Sequence, residues 1–317
     1  MLNPQTLPYP QQLSYDRNVI STPYGRNIHK IGSTKRTLPV KSSSTLKIES
    51  YDELNPPLVR IGDTDMDVPP QDFNSRFKEV KVEFYGTYSQ VLSRLILQSQ
   101  SNILENLSFA MGKTLRKAED LLTRNMLMST ASAVNCVYGH NGDTPREVID
   151  ADLSDAYTSL LGTNAYNMFE GLEGENKFGT APQQNAYLAL AHTKIASTLD
   201  RISTEFTKTI NYPSQTNVTP AEYGSASGFR FFLSTNGMIE PSASVLGNDI
   251  IPIVLEGWDS VSVVEQDEFS ASFLYRPPEM VSTLGLFAEV GFIFAEKAFI
   301  QRDDCVIKLN STTYKGA

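Results

Sequence analysis

The sequence predicts an α+β fold, and three observations carry that reading. Residues 101–128 place Ile103, Leu107, Ala110, Met111, Leu115, Ala118, Leu121 and Leu122 in one stripe at helical spacing, with Lys113, Arg116, Lys117 and Glu119 largely between them. Two runs, 45–54 (TLKIESYDEL) and 78–88 (KEVKVEFYGTY), are rich in strand-forming residues. From Phe269 onward the chain turns strand-rich again.

In chain order, residues 1–36 carry several prolines, Gln, Asn and Ser with little apolar periodicity, which predicts an extended arm or a disordered tail. In the run 78–88, Val80, Val82 and Phe84 alternate with Lys81 and Glu83, the period of two of a half-exposed strand. The connection between the two runs is long and rich in Pro, Gly and Asp, so the pair reads as a projecting hairpin rather than a tight turn. The helix over 101–128 would be roughly 40 Å long, with Ser101 or Asn102 as its cap and Glu105 completing a capping box. A helix of that length with one apolar face acts as a spine against a sheet. After it come a short helix at 151–161, a buried strand at 185–192, a helical segment at 193–203, and strands at 228–235 and 250–257. The C-terminal runs FSASFLYRPP, LGLFAEVGFIFAEKAFI and CVIKL are long enough to return against the spine.

Bulk composition narrows the function classes. The 317 residues are 40% hydrophobic and 20% charged, ample for a large core. No apolar run reaches membrane-span length, and the polar N-terminus lacks the apolar core of a signal peptide. Two cysteines, Cys136 and Cys305, make no disulfide framework. A net charge of −9 argues against a dedicated nucleic-acid binder, although not against a protein that encloses nucleic acid without gripping it.

The chemical motifs resolve into structural residues. MGKT at 111–114 imitates the end of a phosphate-binding loop, yet Leu107 stands where a glycine is needed and the segment lies inside a helix. Asp63, Asp65 and Asp67 imitate a calcium loop without its glycine or its bidentate glutamate. His29, His140 and His192 have no second His or Cys at ligand spacing, and His192 reads as a strand-end core residue. Cys136 reads as a buried thiol, and Lys41 and Lys47 as solvated loop lysines. The expectation is therefore no catalytic residue, no cofactor and no metal site.

Several segments also carry a resemblance. LLTRNMLMSTAS (121–132), HNGDTP (140–145), GENKFGTAP (174–182), AYLALAH (186–192), YPSQ (212–215), YRPPE (275–279) and GFIFAEKAFI (291–300) occur in the order found in major capsid proteins of tailed bacteriophages, in the branch of the virion-polymerase podoviruses. TLKIESYDEL resembles the segment that opens the extended loop in that group. The resemblance implies a Hong-Kong-ninety-seven-type capsid fold: an N-arm at 1–36, an E-loop at 37–88, a P-domain at 89–145 containing the spine helix, an A-domain at 146–270, and P-domain strands at 271–317. The segment VRIGDTDMDVPP departs from the family's usual loop tip.

The same resemblance implies self-assembly through hexamers and pentamers into an icosahedral shell around double-stranded DNA, in the virion after assembly in the bacterial cytoplasm. A separate scaffolding protein, a portal and a decoration protein would be its partners, with no membrane. On this reading Val80, Val82 and Phe84, or Leu58, Val59 and Ile61, gain burial only against another chain. The alternatives are a nanocompartment shell protein of the same fold, which would need a cargo pocket made by an N-terminal helix, and an α/β enzyme, which would need convergent acid–base groups.

Overall fold

The structure, a computed structural model, describes residues 26–39, 44–51, 75–98, 103–130, 132–136, 145–167, 186–202, 206–212, 221–241, 249–266, 272–281 and 285–313. In chain order the strands are β1 (Ser33–Leu38), β2 (Thr45–Tyr51), β3 (Ser75–Lys81) and β4 (Glu83–Leu92). Helices α1 (Ser93–Gln98) and α2 (Ile103–Thr130), strand β5 (Ser132–Asn135) and helix α3 (Asp150–Gly162) follow. Then come β6 (Tyr187–His192), α4 (Ala196–Leu199), β7 (Thr207–Lys208), β8 (Glu222–Ala226), β9 (Phe229–Ser234), β10 (Ile250–Glu256) and β11 (Val261–Gln266). The chain closes with β12 (Ser272–Arg276), α5 (Pro278–Val281), β13 (Phe287–Ile300) and β14 (Val306–Thr312).

Two sheets share the spine. One is organised around β13, which pairs with β4 along one edge and with β12 and β11 along the other, β1 adding in parallel to β11. The other has seven strands in the order β5-β14-β10-β6-β9-β8-β7. Strand β6, the YLALA run, is near its centre and buried on both faces, as an uninterrupted apolar strand must be. The hairpin β2–β3 stands as a separate two-stranded sheet.

Helix α2 belongs to both cores, different stretches of it packing on different sheets. Met111 and Leu115 pack on Val290, Phe292 and Phe294 of β13. One end further along, Leu127 packs with Ile28, Leu188, Leu190, Phe232 and Val254 over the seven-stranded sheet. The expected stripe is present with one exception: Ala110 is exposed, as is Phe109, whose ring lies 4.5 Å from the Lys113 ammonium. The proposed caps Ser101 and Asn102 lie outside the described residues.

Three expectations are corrected. Over its described part the expected arm at 1–36 does not stand away from the rest of the chain. Residues 26–38 instead dock on the chain itself, with Ile28 fully buried beside Leu127 and β1 paired to β11. The run 78–88 is not one strand. It divides at Val82, whose amide donates to Ser44 O at 2.9 Å, so the part before it belongs to the hairpin and the part after it to the β13 sheet. Val80 and Val82 do not await another chain: they are 5% and 2% exposed, buried against Leu38, Val264, Ala295 and Phe299.

The C-terminal block expected at 271–317 is shared between the two sheets. β12 and β13 pair around the spine, whereas β14 runs antiparallel to β10 in the seven-stranded sheet. Its alternation explains this: Ile307 and Leu309 face one core while Val306 faces the other. Strand β11, inside the block 146–270, likewise belongs to the β13 sheet. Residues 174–182, His140, Lys41, Leu58, Val59, Ile61, Asp63, Asp65 and Asp67 lie outside the described residues.

Candidate assembly surface and its interior anchor

The β13 sheet has one face under α2 and one facing out. Across strands, directly paired residues share a face. Tyr85 pairs with Phe294, and these rings stack at 5.4 Å on the helix side. The residues between them therefore point the other way. Phe84 and Tyr88 of β4 and Leu274 of β12 are 55%, 67% and 45% exposed, and Tyr88 and Leu274 are both in register with Gly291. A glycine is required at that place: a Cβ on Gly291 would fall 2.8 Å from Thr87 O and 2.9 Å from Tyr88 Cβ. The result is a set of outward apolar side chains on the sheet; exposed Met280 lies in α5 after β12, and exposed Leu286 precedes β13 beside the end of β4. Large exposed apolar patches are a general feature of protein–protein contact surfaces. On the hairpin, the ring of exposed Phe77 carries the Lys47 ammonium 4.0 Å above it.

At the base of β4, Lys297 lies 2.5 Å from Glu83 Oε1. The hydrogen bonds from Lys297 and from the Tyr85 hydroxyl hold the Glu83 carboxyl below its ordinary range, while burial and the same contact push Tyr85 up to about 12. An open groove of about 670 Å³ lies between α2 and β13, with Leu122, Met126 and Phe299 as its apolar wall and Lys78, Lys297 and Asp303 at its rim.

Inside, the docked segment 26–38 is a strap tied down by polar groups. Asp120 of α2 is fully buried, and its Oδ1 accepts from the backbone amides of Ile28 and His29 at 3.0 and 2.9 Å. Its Oδ2 accepts from the Asn236 amide at 3.0 Å and lies 3.2 Å from His29 Nδ1. Burial works against the Asp120 charge, but these hydrogen bonds and His29 overcome it and leave the carboxyl below its ordinary value. The Asn27 side chain donates to Arg116 O at 2.9 Å, and the Ser234 hydroxyl donates to Arg26 O. One carboxylate thus joins the strap, the spine and the turn after β9.

The residues singled out from sequence fall as follows. MGKT sits inside α2. His29 is in the core, and His192 is half-buried at the end of β6, its Nδ1 accepting from the Lys194 amide at 3.0 Å. Cys136 and Cys305 are buried free thiols, and burial raises both, Cys136 strongly. Asp120 was not foreseen. An aspartate inside an apolar helical stripe four residues before Arg124 reads as one end of a surface pair. The signal that it is buried, its two amide donors, lies more than 90 residues away.

No family model matches the chain, and no curated protein matches its sequence. Its structure does have counterparts. The capsid of Ralstonia phage GP4 superposes with a TM-score of 0.66 at 10% identity, covering 92% of this chain and 90% of that one. The capsid of cyanophage P-SCSP1u gives 0.64 at 10% identity over 94% and 91%. The head of Helicobacter pylori bacteriophage KHP40 gives 0.62 at 12% identity over 99% and 100%. The chain has the Hong-Kong-ninety-seven-type capsid fold, along nearly its whole length.

Proposed function

We propose that the chain is a major capsid protein that self-assembles into the head shell of a tailed phage. The observation that carries this reading is the whole-chain superposition on phage capsids together with an outward face of exposed apolar side chains on β4 and β12. Contacts between this face of one copy and a different surface of the next are heterologous. Repeated around an axis they close rings, and with curvature they close a shell.

In this reading the seven-stranded sheet is the A-domain at the capsomer centre. The β13 sheet with α2 is the P-domain, and the β2–β3 hairpin is the E-loop reaching a neighbour. Hexamers and pentamers are the building units, assembled in the bacterial host cytoplasm with a separate scaffolding protein and a portal and finished with a decoration protein. The chain carries out no catalysis and binds no cofactor or metal. Packaged double-stranded DNA is cargo, and an acidic chain with a net charge of −9 offers it little purchase.

Electron microscopy with size-exclusion chromatography, on the chain alone and co-expressed with a scaffolding protein, tests the proposal. Icosahedral particles or five- and six-membered rings are the expected result. A monodisperse monomer under both conditions would overturn it.

A further inference from the structure

The strap 26–38 crosses two buried acids. The first is Glu296 of β13, 2% exposed, whose Oε2 accepts from Lys30 Nζ at 2.7 Å. Lys30 is also 3.5 Å from Glu119 of α2 and 3.9 Å from Glu265 of β11. Three carboxylates from three elements thus converge on one ammonium. Lys35 of β1 offsets part of this, 2.6 Å from Glu265. From the β4 side, Glu83 is in register with Glu296 but is held by Lys297, and the Tyr85 ring also faces Glu296. On β11, Glu265 is the register partner of Glu296, so two carboxyl side chains stand directly opposite across the strands. The His29–Asp120 contact lies one residue along the strap.

The second acid is Glu256 of β10, 1% exposed, with neither oxygen hydrogen-bonded among the described residues. It lies directly beneath the strap, where a Cβ on Gly32 would come 2.9 Å from its Oε1.

We propose that the strap is a proton-held clasp: it stays closed while Glu296 is protonated beside Lys30, and it loosens when Glu296 gives up its proton among the neighbouring carboxyl groups. Opening it would untie α2 from β11 and from the end of β9, because the strap is bonded to all three. The direction of the effect follows from burial. Burial raises Glu296 to about 7, against the pull of Lys30, and raises Glu119 as well. Burial alone raises Glu256 to about 8. A group whose folded value is raised binds its proton more tightly in the closed state. Closure is therefore favoured below the folded value and weakened as pH rises through it. For a carboxyl that returns from about 7 to its ordinary 4.5 on opening, linkage gives about a tenfold rise in the opening equilibrium between pH 6 and pH 9.

Amide hydrogen exchange on the full chain at pH 6 to 9, corrected for intrinsic chemistry, reads this out. Peptides from 26–38 should lose protection about tenfold or more, while β9, residues 229–234, keeps its own. Glu296→Gln should remove about tenfold of that change, and Glu256→Gln a further part. Strap protection that is flat with pH, an equal loss in β9, or an undiminished loss in folded Glu296→Gln protein would each overturn the clasp. If the variants fail to fold, the wild-type comparison of the two segments decides it alone.

Discussion

The strap at 26–38 and the β4–β12 face make an instructive pair. Each presents apolar residues that local sequence leaves unburied: Ile28 and Leu38 in one, Phe84, Tyr88 and Leu274 in the other. The strap finds its burial at home because Asp120 supplies acceptors for its otherwise unpaired amides. A segment that cannot satisfy its backbone cannot enter a core, however apolar its side chains. The face of β4 has no such problem, since its backbone is already paired to β13, and Phe84 and Tyr88 stay more than half exposed on it. Internal docking follows the polar anchors, and external docking follows what is left over.

Experiments that attack the anchor should produce the largest effects. Asp120→Ala leaves two buried amides and the Asn236 side chain without an acceptor, and should cost about 3–5 kcal/mol in chemical denaturation, enough to unfold a marginal chain. Ile28→Ala, which empties a fully buried position beside Leu127, should cost about 2–5 kcal/mol by the same measurement. Gly291→Ala forces β4 and β13 apart at Thr87 O, with an expected loss of about 1–3 kcal/mol.

The double substitution Phe84→Ser and Tyr88→Ser should move chain stability by about 0.5 kcal/mol or less, yet abolish rings and shells in size-exclusion chromatography and microscopy. Equal losses in stability and assembly would erase the distinction between the two regions. The smallest effect is one of pH. The Asp120 carboxyl is held below its ordinary 3.8, so its contribution is fully present above that value and lost as pH falls through the folded one. The stability gap between the wild type and Asp120→Asn should therefore narrow only below about pH 4, as denaturation midpoints would report.

Much of this architecture can be read from residues alone, for a definable reason. The spine, the YLALAH strand and the C-terminal strands are long segments whose period survives any tertiary context. The burial of Cys136 follows from its chemistry. The strap was illegible because Ile28 and its neighbours carry no period, and what fixes them is a carboxylate on a distant helix. The break at Val82 was hidden by an alternation that continues through it, since Val80 and Phe84 obey the same period while serving different sheets. Alternation tells which residues share a face, never whose surface covers it. For that reason Val80 and Phe84 look identical in sequence and differ tenfold in exposure.

Helix α2 also sets a rule on insertions and deletions. Leu115 belongs to one core and Leu127 to the other, twelve positions apart along an uninterrupted helix, or about 18 Å. Inserting a single residue between them would swing one end by about 100° relative to the other, turning either Leu115 or Leu127 away from its sheet. An insertion of seven residues nearly restores the phase but lengthens the span by about 10 Å, so the two sheets would no longer meet the same rod. The segment works as a ruler with two fixed marks. Length variation among chains of this shape should collect in the loops between strands and be absent from the stretch between Leu115 and Leu127.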